Sequence, residues 1–190
     1  MITRRTLAIG LGTAVAAAIA SPALAHHTAK YKNFKLPEKY KPQRVRFTGY
    51  EPGTIVVDPK NHFLYLVETR SRARRYGVGV GRAGLAFNGT ATLARKAKWP
   101  SWTPTANMIR REPHKYAKYA KGVPGGPGNP LGARALYLYK GKRDTYYRIH
   151  GTTQPWSIGQ SVSNGCIRMI NDHVEDLYER TPVGTRVVVI

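Results

Sequence analysis

The sequence predicts a mostly β domain, a β-rich α+β fold with few short helices. Short runs of β-branched and aromatic residues recur along the chain between turn residues, which is typical of strands. Helical patterns are confined to a short segment near residues 105–111 and a longer one at 172–180. Residues 99–133 are rich in proline and glycine, and such a long irregular stretch inside a compact domain usually shapes a binding site.

The predicted strands follow one another in order. The runs TIVVD and HFLYLVE, joined by PKN, predict a β-hairpin over residues 54–68. Both faces of the second run are apolar, so we expect this strand to lie between two layers. Further strands are expected at residues 74–80, 135–139 and 146–150, and the terminal RVVVI predicts a buried strand that closes the chain.

The first 25 residues have the pattern of a signal peptide. Arg4 and Arg5 form a basic start, an apolar run occupies residues 7–20, and the small-residue site ALA lies at 23–25. The arginine pair resembles a twin-arginine export signal, and an ordinary Sec signal is the alternative. The apolar run is shorter than the roughly 20 residues that cross a membrane, so no transmembrane segment is expected in the mature protein. The predicted location is the periplasm or cell envelope.

The mature chain is strongly basic. The formal net charge of the full sequence is +21, which favours anionic partners. Outside the cytoplasm the available anions are wall polymers and lipid headgroups, and no nucleic-acid-binding motif accompanies the charge, so we expect no nucleic-acid partner. Residues 26–49 are polar, basic and interrupted by prolines, which predicts a linker or arm before a single catalytic domain at 50–190.

The chemistry is concentrated in the segment HGTTQPWSIGQSVSNGCIRM, residues 150–169. The chain has one cysteine, Cys166, and an unpaired thiol in an exported protein suggests a chemical role. His150 ends a predicted strand sixteen residues earlier, and a loop of this length can fold back to place imidazole beside thiol. A free thiol titrates near pH 8.5, and we expect His150 and Arg168 to lower that value.

A glycine directly before the cysteine fits a nucleophile. Gly165 allows a sharp turn that brings backbone amides close to a substrate, as an oxyanion hole requires. The candidate donors are the amides of Asn164, Gly165 and Cys166. Cys166 as a merely buried residue is the alternative for an isolated cysteine.

This segment is similar to the signature of L,D-transpeptidases with the YkuD-type catalytic domain. That signature is a histidine, a spacer, then Ser/Thr, His or Asn, Gly, Cys, a branched apolar residue and Arg. The stretches PGTIVVDPKNHFLYLV and NPLGARALYL also resemble the family, and the resemblance extends over about residues 50–190. The matching positions in the signature segment and just beyond it are His150, Gly151, Ser157, Gly159, Ser163, Gly165, Cys166, Ile167, Arg168, Asp172 and Leu177.

The resemblance implies a fold, a reaction and roles for single residues. The fold is a β-sandwich or barrel-like catalytic domain. Cys166 attacks the bond between a diamino acid and D-alanine in a peptidoglycan tetrapeptide, and the thioester is transferred to an amine. The main-chain carbonyl of Gly151 orients His150. Many relatives carry a second histidine where this chain has Asn164, which cannot act as a base and leaves that duty to His150.

The resemblance also implies partners and substrate contacts. Peptidoglycan stem peptides are the expected substrates, and the acceptor is another stem peptide or a wall-anchored protein, such as an outer-membrane protein or lipoprotein. Arg168 either steadies the loop or binds a substrate carboxylate. Ser157, Ser163 and Trp156 are the other candidate substrate contacts. No metal or organic cofactor is expected, because thiol, imidazole and backbone amides suffice for acyl transfer.

Other functions remain open at this stage. Transfer of the acyl group to water would make the same domain an L,D-carboxypeptidase or endopeptidase. A non-catalytic module that binds the wall through its basic surface is a second alternative. A papain-like hydrolase fits less well, because its cysteine precedes its histidine in the chain, whereas here His150 comes first.

Overall fold

The computed structural model describes residues 34–85 and 87–190. The predicted signal peptide and residues 26–33 of the predicted arm lie outside the described residues. The strands are β1 Gln43–Arg46, β2 Ile55–Asp58, β3 Phe63–Thr69, β4 Arg72–Gly77, β5 Val80–Gly81, β6 Gly89–Lys98, β7 Arg134–Lys140, β8 Arg143–His150, β9 Ser161–Ser163, β10 Ile167–Arg168 and β11 Arg186–Val189. The α-helices are α1 Ala106–Arg111, α2 Pro113–Tyr116 and α3 Asn171–Arg180.

The prediction of a mostly β fold is confirmed. Nine of the described strands form one sheet in the order β1-β4-β3-β2-β11-β6-β7-β8-β10, and β5 pairs with β9 beside it. Among the described residues the sheet does not close into a barrel. Gly79, just after β4, instead exchanges two backbone hydrogen bonds with Arg168 of β10, at 2.9 and 2.7 Å. The curled sheet therefore approaches closure through one bridge and not through a full strand ladder.

Most predicted elements are present near their expected bounds. The hairpin is β2 and β3, paired antiparallel, and the C-terminal strand is β11, which lies in the sheet centre between β2 and β6. Both predicted helices form, and Thr105 caps α1 by accepting a hydrogen bond from the Met108 amide at 3.2 Å. The predicted strand at 74–80 is divided into β4 and β5 because the Gly79 backbone pairs with Arg168.

Four strands escaped the sequence analysis: the short β9 and β10 in the segment after His150, and the longer β1 and β6. β1 lies inside the segment predicted as a linker or arm, and it pairs antiparallel with β4 so that Arg44 faces Arg74 and Arg46 faces Arg72. β6 lies inside the sheet but has only two buried side chains. Both strands are rich in basic residues, so backbone pairing with neighbours and not apolar pattern decides their structure.

The core lies between the curled sheet and α3. Strand residues such as Leu64, Leu93 and Leu138 are fully buried, and Val174 and Leu177 of α3 pack against them. Lys96 of β6 secures the end of α3, since its ammonium donates to the carbonyls of Tyr178 and Thr181 at 2.5 and 2.8 Å. No helix of the described residues is long and apolar enough to cross a membrane.

Candidate active site

The sheet register brings His150 and Cys166 to one face. β10 runs parallel to β8, with Ile167 opposite Ile149 and Arg168 opposite His150. Side chains alternate along extended backbone, so Cys166, two residues before Arg168, points to the same side as Arg168 and His150. All three line one cleft of about 1750 Å³. Strand pairing therefore places on the same side of one cleft two residues that are separated by a long loop in the sequence.

The cleft is bounded on its other sides by irregular segments. The proline-rich region with α1 and α2 forms one wall, and the loop that follows His150 forms another. Of the described residues that line it, none is Asp or Glu, and eight are basic: Arg95, Lys98, Arg110, Arg111, Lys115, Lys118, Arg148 and Arg168. The cleft therefore presents a one-sided positive field to an incoming molecule.

His150 is buried and held in one tautomer. Its Nδ1 lies 2.5 Å from the carbonyl oxygen of Gly151. A carbonyl only accepts, so Nδ1 must carry the proton and Nε2 is left as the basic nitrogen. Burial, and then the charge of Arg168, lower the pKa of His150 to about 3, while the carbonyls of Gly151 and Leu131 act in the opposite direction. The imidazole is consequently neutral at ordinary pH.

Cys166 is partly buried, and its thiol lies beside a backbone carbonyl. Sγ is 3.8 Å from the Tyr146 oxygen. Burial raises the pKa of the Cys166 thiol, and the backbone amide and charge of Arg148 and the charge of Arg168 only partly oppose this effect. The sequence analysis expected a lowered thiol pKa, and the structure gives the opposite direction because desolvation is the largest effect. The resting pair is therefore thiol and neutral imidazole.

The turn before Cys166 requires glycine. Gly165 has φ +119°, and a Cβ there would lie 2.5 Å from the Leu85 carbonyl oxygen and from the Tyr147 ring. Its amide donates to Ser163 Oγ at 3.1 Å, and that hydroxyl in turn donates to the Cys166 carbonyl at 2.6 Å. The Gly165 amide is thus used inside the turn, which leaves the amides of Asn164 and Cys166 as the oxyanion-hole candidates.

The two predicted serine contacts lie in the cleft wall but have internal partners. Ser157 and Ser163 are each only 2% exposed. Ser157 Oγ donates to the Gln154 carbonyl at 2.7 Å, as Ser163 Oγ does to that of Cys166. Their hydroxyls hold the loops in shape, and a substrate contact through either serine stays a prediction. Trp156, between buried neighbours, is 54% exposed.

Arg168 occupies the middle of the cleft floor. Its Nη1 donates to Gln154 Oε1 at 2.9 Å, and its backbone exchanges hydrogen bonds with Gly79. Burial lowers the pKa of Arg168, although the guanidinium stays charged. Of the two roles expected for it, the structure shows the contact that steadies the loop, and the remaining guanidinium hydrogens face a cleft without lining carboxylates.

Comparisons with known proteins identify the domain. The model of the L,D-transpeptidase catalytic domain, YkuD, matches residues 52–189. The chain belongs to this family. The probable L,D-transpeptidase ErfK/SrfK of Escherichia coli is 36% identical over 140 residues, 73% of this chain and 44% of that protein. The chain thus spans less than half the length of that curated relative. A putative L,D-transpeptidase of Fuscovulum blasticum is 33% identical, and the match spans 98% of this chain and 96% of that protein.

A solved structure is also similar over most of the chain. It is described as a probable carnitine operon oxidoreductase from Brucella melitensis, with 58% identity, a TM-score of 0.56, and coverage of 86% of this chain and 99% of that one. The family resemblance drawn from residues 150–169 is confirmed by the domain match and the relatives.

In this L,D-transpeptidase domain, Asn164 connects the loop that carries Cys166 to the opposite wall of the cleft. Its Nδ2 donates to Tyr116 Oη at 2.7 Å, and its Oδ1 accepts from Arg82 Nη2 at 2.9 Å. The same Arg82 nitrogen lies 2.7 Å from Glu112 Oε1, at the junction of α1 and α2. The residue that replaces the second histidine of many relatives therefore has both polar groups of its side chain occupied by this network.

Asn171, at the start of α3, is a positioning residue that sequence reasoning missed. Its Oδ1 accepts from the amides of Ala133 and Thr152, each at 3.1 Å. A Cβ on Gly132 or Gly151 would collide with that same oxygen, so both positions require glycine. Asn171 therefore ties the backbone just after the Gly151 carbonyl, which orients His150, to the segment that leads into β7. An asparagine directly before a predicted helix was the available signal.

Metal binding has no evident place in this site. In the ranges 34–85 and 87–190, no three His, Cys, Asp or Glu side chains lie close enough together to hold a metal ion. The expectation that the reaction needs no cofactor stays a prediction.

The first prediction concerns Asn171. Asn171→Ala removes the acceptor of two buried amides, which costs about 1–3 kcal/mol for each unsatisfied group, and displaces the Gly151 carbonyl. We expect a lower melting temperature and a loss of about 100-fold in kcat, because small displacements of a base have effects of this size. Asn171→Asp retains an oxygen acceptor and should recover most of the stability. Equal activity of Asn171→Ala and wild type would contradict the positioning role.

The second prediction concerns the protonation state of the thiol. Because the chain has a single cysteine, its alkylation by iodoacetamide can be followed by intact mass at each pH. We expect the rate to rise with a midpoint above pH 8.5, the ordinary value for a thiol, because burial raises the pKa of Cys166. A second plateau of reactivity near neutral pH would instead reveal a thiolate–imidazolium pair and contradict the neutral resting state.

The third prediction tests the Asn164 network. Arg82→Ala removes the bridge between Asn164 and Glu112, and since this pair is exposed, the melting temperature should change little. We expect a loss of roughly fivefold in kcat/KM, the size of one lost hydrogen bond, and faster proteolysis within residues 106–119. Arg44→Ala is the matched control, because it breaks an exposed ion pair with Glu68 at β1. If the two variants have equal effects on kcat/KM, the Asn164 network has no role in catalysis.

Proposed function

We propose that this domain is a peptidoglycan L,D-transpeptidase that uses Cys166 as nucleophile and His150 as general base. The observation that most supports this is the placement of both residues on one face of a cleft, with His150 Nδ1 bound to the Gly151 carbonyl. A nucleophile beside a base that is itself oriented by a third group is the arrangement that acyl transfer requires. The family membership supports the same reaction class.

The first half-reaction forms a thioester. Sγ attacks the carbonyl carbon of the bond between the diamino acid and D-alanine, and the thiol proton moves to His150 Nε2. The neutral state of both groups means that this transfer accompanies attack and does not precede it. The oxyanion is stabilised by the amides of Cys166 and Asn164. When the intermediate collapses, His150 gives the proton to the departing amine, and D-alanine leaves.

The second half-reaction transfers the acyl group. An amine attacks the thioester carbonyl, His150 accepts a proton from that amine, and the thiolate leaves and regains the proton from His150. The product is an amide, either a cross-link between stem peptides or an attachment to an outer-membrane protein or lipoprotein. If water attacks instead, the same residues perform L,D-carboxypeptidase or endopeptidase chemistry.

The charge of the cleft supports a substrate with several carboxylates. Stem peptides contain free carboxylates, and the eight basic lining residues include Arg148 and Arg168 close to the thiol. Charged groups of one sign in a cleft raise the local concentration of the opposite charge and the rate of association. We place the protein in the periplasm or cell envelope, where such peptides are found, after export by the N-terminal signal.

The fourth prediction tests this function directly. The protein is incubated with disaccharide-tetrapeptide and a D-amino acid acceptor, and the products are measured by mass spectrometry. Wild type should exchange the terminal D-alanine, and Cys166→Ala should show no exchange, because no nucleophile remains. His150→Gln should lose at least about 100-fold in kcat, since general base catalysis contributes about 10²–10⁴-fold.

Each other outcome has a defined meaning. Tripeptide as the only product identifies a hydrolase with the same nucleophile. Equal product from wild type and Cys166→Ala contradicts the assignment of the nucleophile. A wild-type protein that is folded and binds peptidoglycan but forms no product supports the wall-binding module.

A carbapenem should add its mass to wild type and not to Cys166→Ala.

A further inference from the structure

Exposed apolar side chains are concentrated at the cleft. Among the described residues, seven large hydrophobic side chains are at least 36% exposed, and five of them line this cleft. The two others, Val183 and Ile190, lie elsewhere. The five are Trp99, Tyr119, Tyr146, Trp156 and Val162. Exposed apolar residues gathered in one place usually mark a surface that binds something.

Two of these aromatic residues have unusual backbones. Trp99 has φ +45° and Tyr146 has φ +61°, a region that bulky residues rarely adopt because it is strained. Tyr146 lies in a bulge of β8, where its amide donates to Asp144 Oδ1 at 2.8 Å. The Trp99 amide donates to the Ala133 carbonyl at 2.8 Å. Strained backbones persist at functional sites when neighbouring contacts hold them.

The exposure of the aromatic rings is not explained by core packing. Tyr146 is 70% exposed. Trp156 occupies the middle of a short 3-10 helix, Pro155–Ser157, whose two flanking residues are buried while the indole points outward. We call Trp99, Tyr146 and Trp156 the aromatic rim.

The electrostatics of the cleft narrow the class of ligand. Aromatic faces can attract cations, but the eight basic lining residues and the lack of acidic ones along the described lining disfavour a cationic ligand. The polar side chains of Gln154 and Gln160 lie in the same lining. The rim therefore suits a neutral or anionic ligand with a flat apolar face and polar edges, which describes a sugar ring.

The register places this rim on both sides of the reacting groups. The Trp99 amide bonds to Ala133, two residues before Ala135, which pairs with His150. Tyr146 lies two residues before Arg148, which pairs with Tyr137. Positions 133 and 137 are separated by about 13 Å of extended chain. Tyr146 lies beside Cys166, whose Sγ is 3.8 Å from its carbonyl oxygen, whereas the Trp99 backbone is bonded at the far end of this stretch. A ligand that reaches Trp99 from Cys166 must therefore extend beyond the scissile bond.

We propose that the aromatic rim binds amino-sugar rings of the glycan that bears the stem peptide, so that the preferred donor is a glycan-linked peptide and not a free peptide. This inference rests on the proposed function and adds a second recognition element to it. The basic residues bind the carboxylates of the peptide, and the rim stacks on the sugar.

The test compares two donors that differ only in the glycan. kcat/KM is measured for disaccharide-tetrapeptide and for the N-acetylated tetrapeptide of the same sequence, which lacks the sugars but keeps an uncharged N-terminus, and the ratio of the two is the readout. Wild type should prefer the disaccharide form by about tenfold or more, which corresponds to about 1.4 kcal/mol. Trp156→Ala, Trp99→Asn and Tyr146→Asn should each move the ratio towards one. Asparagine tolerates positive φ, so the two strained backbones are retained.

A matched control distinguishes loss of the aromatic rim from a general loss of exposed apolar surface. Val183→Ala shortens an exposed apolar side chain outside the cleft and should leave the ratio unchanged. Circular dichroism and melting curves confirm that each variant is folded, and Trp156→Ala serves if the strained positions do not tolerate change.

The outcomes separate this inference from the proposed function. If wild type uses neither donor, the proposed function fails. If wild type uses both equally, or if the ratio persists in all three rim variants, the function holds and the sugar site is overturned.

In binding measurements on Cys166→Ala, a stem-free glycan oligosaccharide should quench tryptophan fluorescence. Tighter binding of a single-stranded oligonucleotide than of the glycan would favour nucleic acid, which also stacks on aromatic residues in basic grooves, and would overturn the proposal.

Discussion

The hydrogen bond from His150 Nδ1 to the Gly151 carbonyl is the contact on which the rest of the site depends. It sets the tautomer, directs Nε2 into the cleft, and requires the backbone after β8 to turn in one way only. Asn171 supports that turn, because its Oδ1 accepts hydrogen bonds from Thr152, just after Gly151, and from Ala133 in the neighbouring segment. The carbonyl takes the place that a carboxylate occupies in a serine protease triad, and it carries no charge.

The Gly151 carbonyl carries no charge, and this affects the protonation state of His150. Burial, and then the charges of Arg168 and Arg148, lower the pKa of His150 to about 3, and the neutral carbonyl of Gly151 stabilises an imidazolium less than a carboxylate would. The same arginines favour a thiolate on Cys166, but burial outweighs them and raises the thiol pKa. Both groups are therefore neutral in the resting site.

The walls of the cleft are held by polar contacts and not by a regular core. Asn164, Arg82, Glu112 and Tyr116 connect the nucleophile loop to the α1–α2 segment. The Ser163 hydroxyl closes the turn around Gly165 from inside. Exposed polar contacts contribute little to global stability, so this segment can respond to a substrate without loss of the sheet beneath it. The rigid sheet positions the ligand, and the adjustable wall admits it.

The sequence by itself determined the elements with a strong local pattern and the residues with distinctive chemistry. The β2–β3 hairpin, α3 and β11 have clear apolar patterns, and the motif around Cys166 identified the family. Tertiary structure alone decided the rest. β1 and β6 are strands because neighbours pair with their backbones, since their own side chains are largely basic. The thiol pKa, the use of the serine hydroxyls and the Gly165 amide inside their loops, and the role of Asn171 depend on burial and on partners distant in sequence. These properties cannot be predicted from a local sequence pattern, because desolvation and hydrogen bonding depend on the folded surroundings.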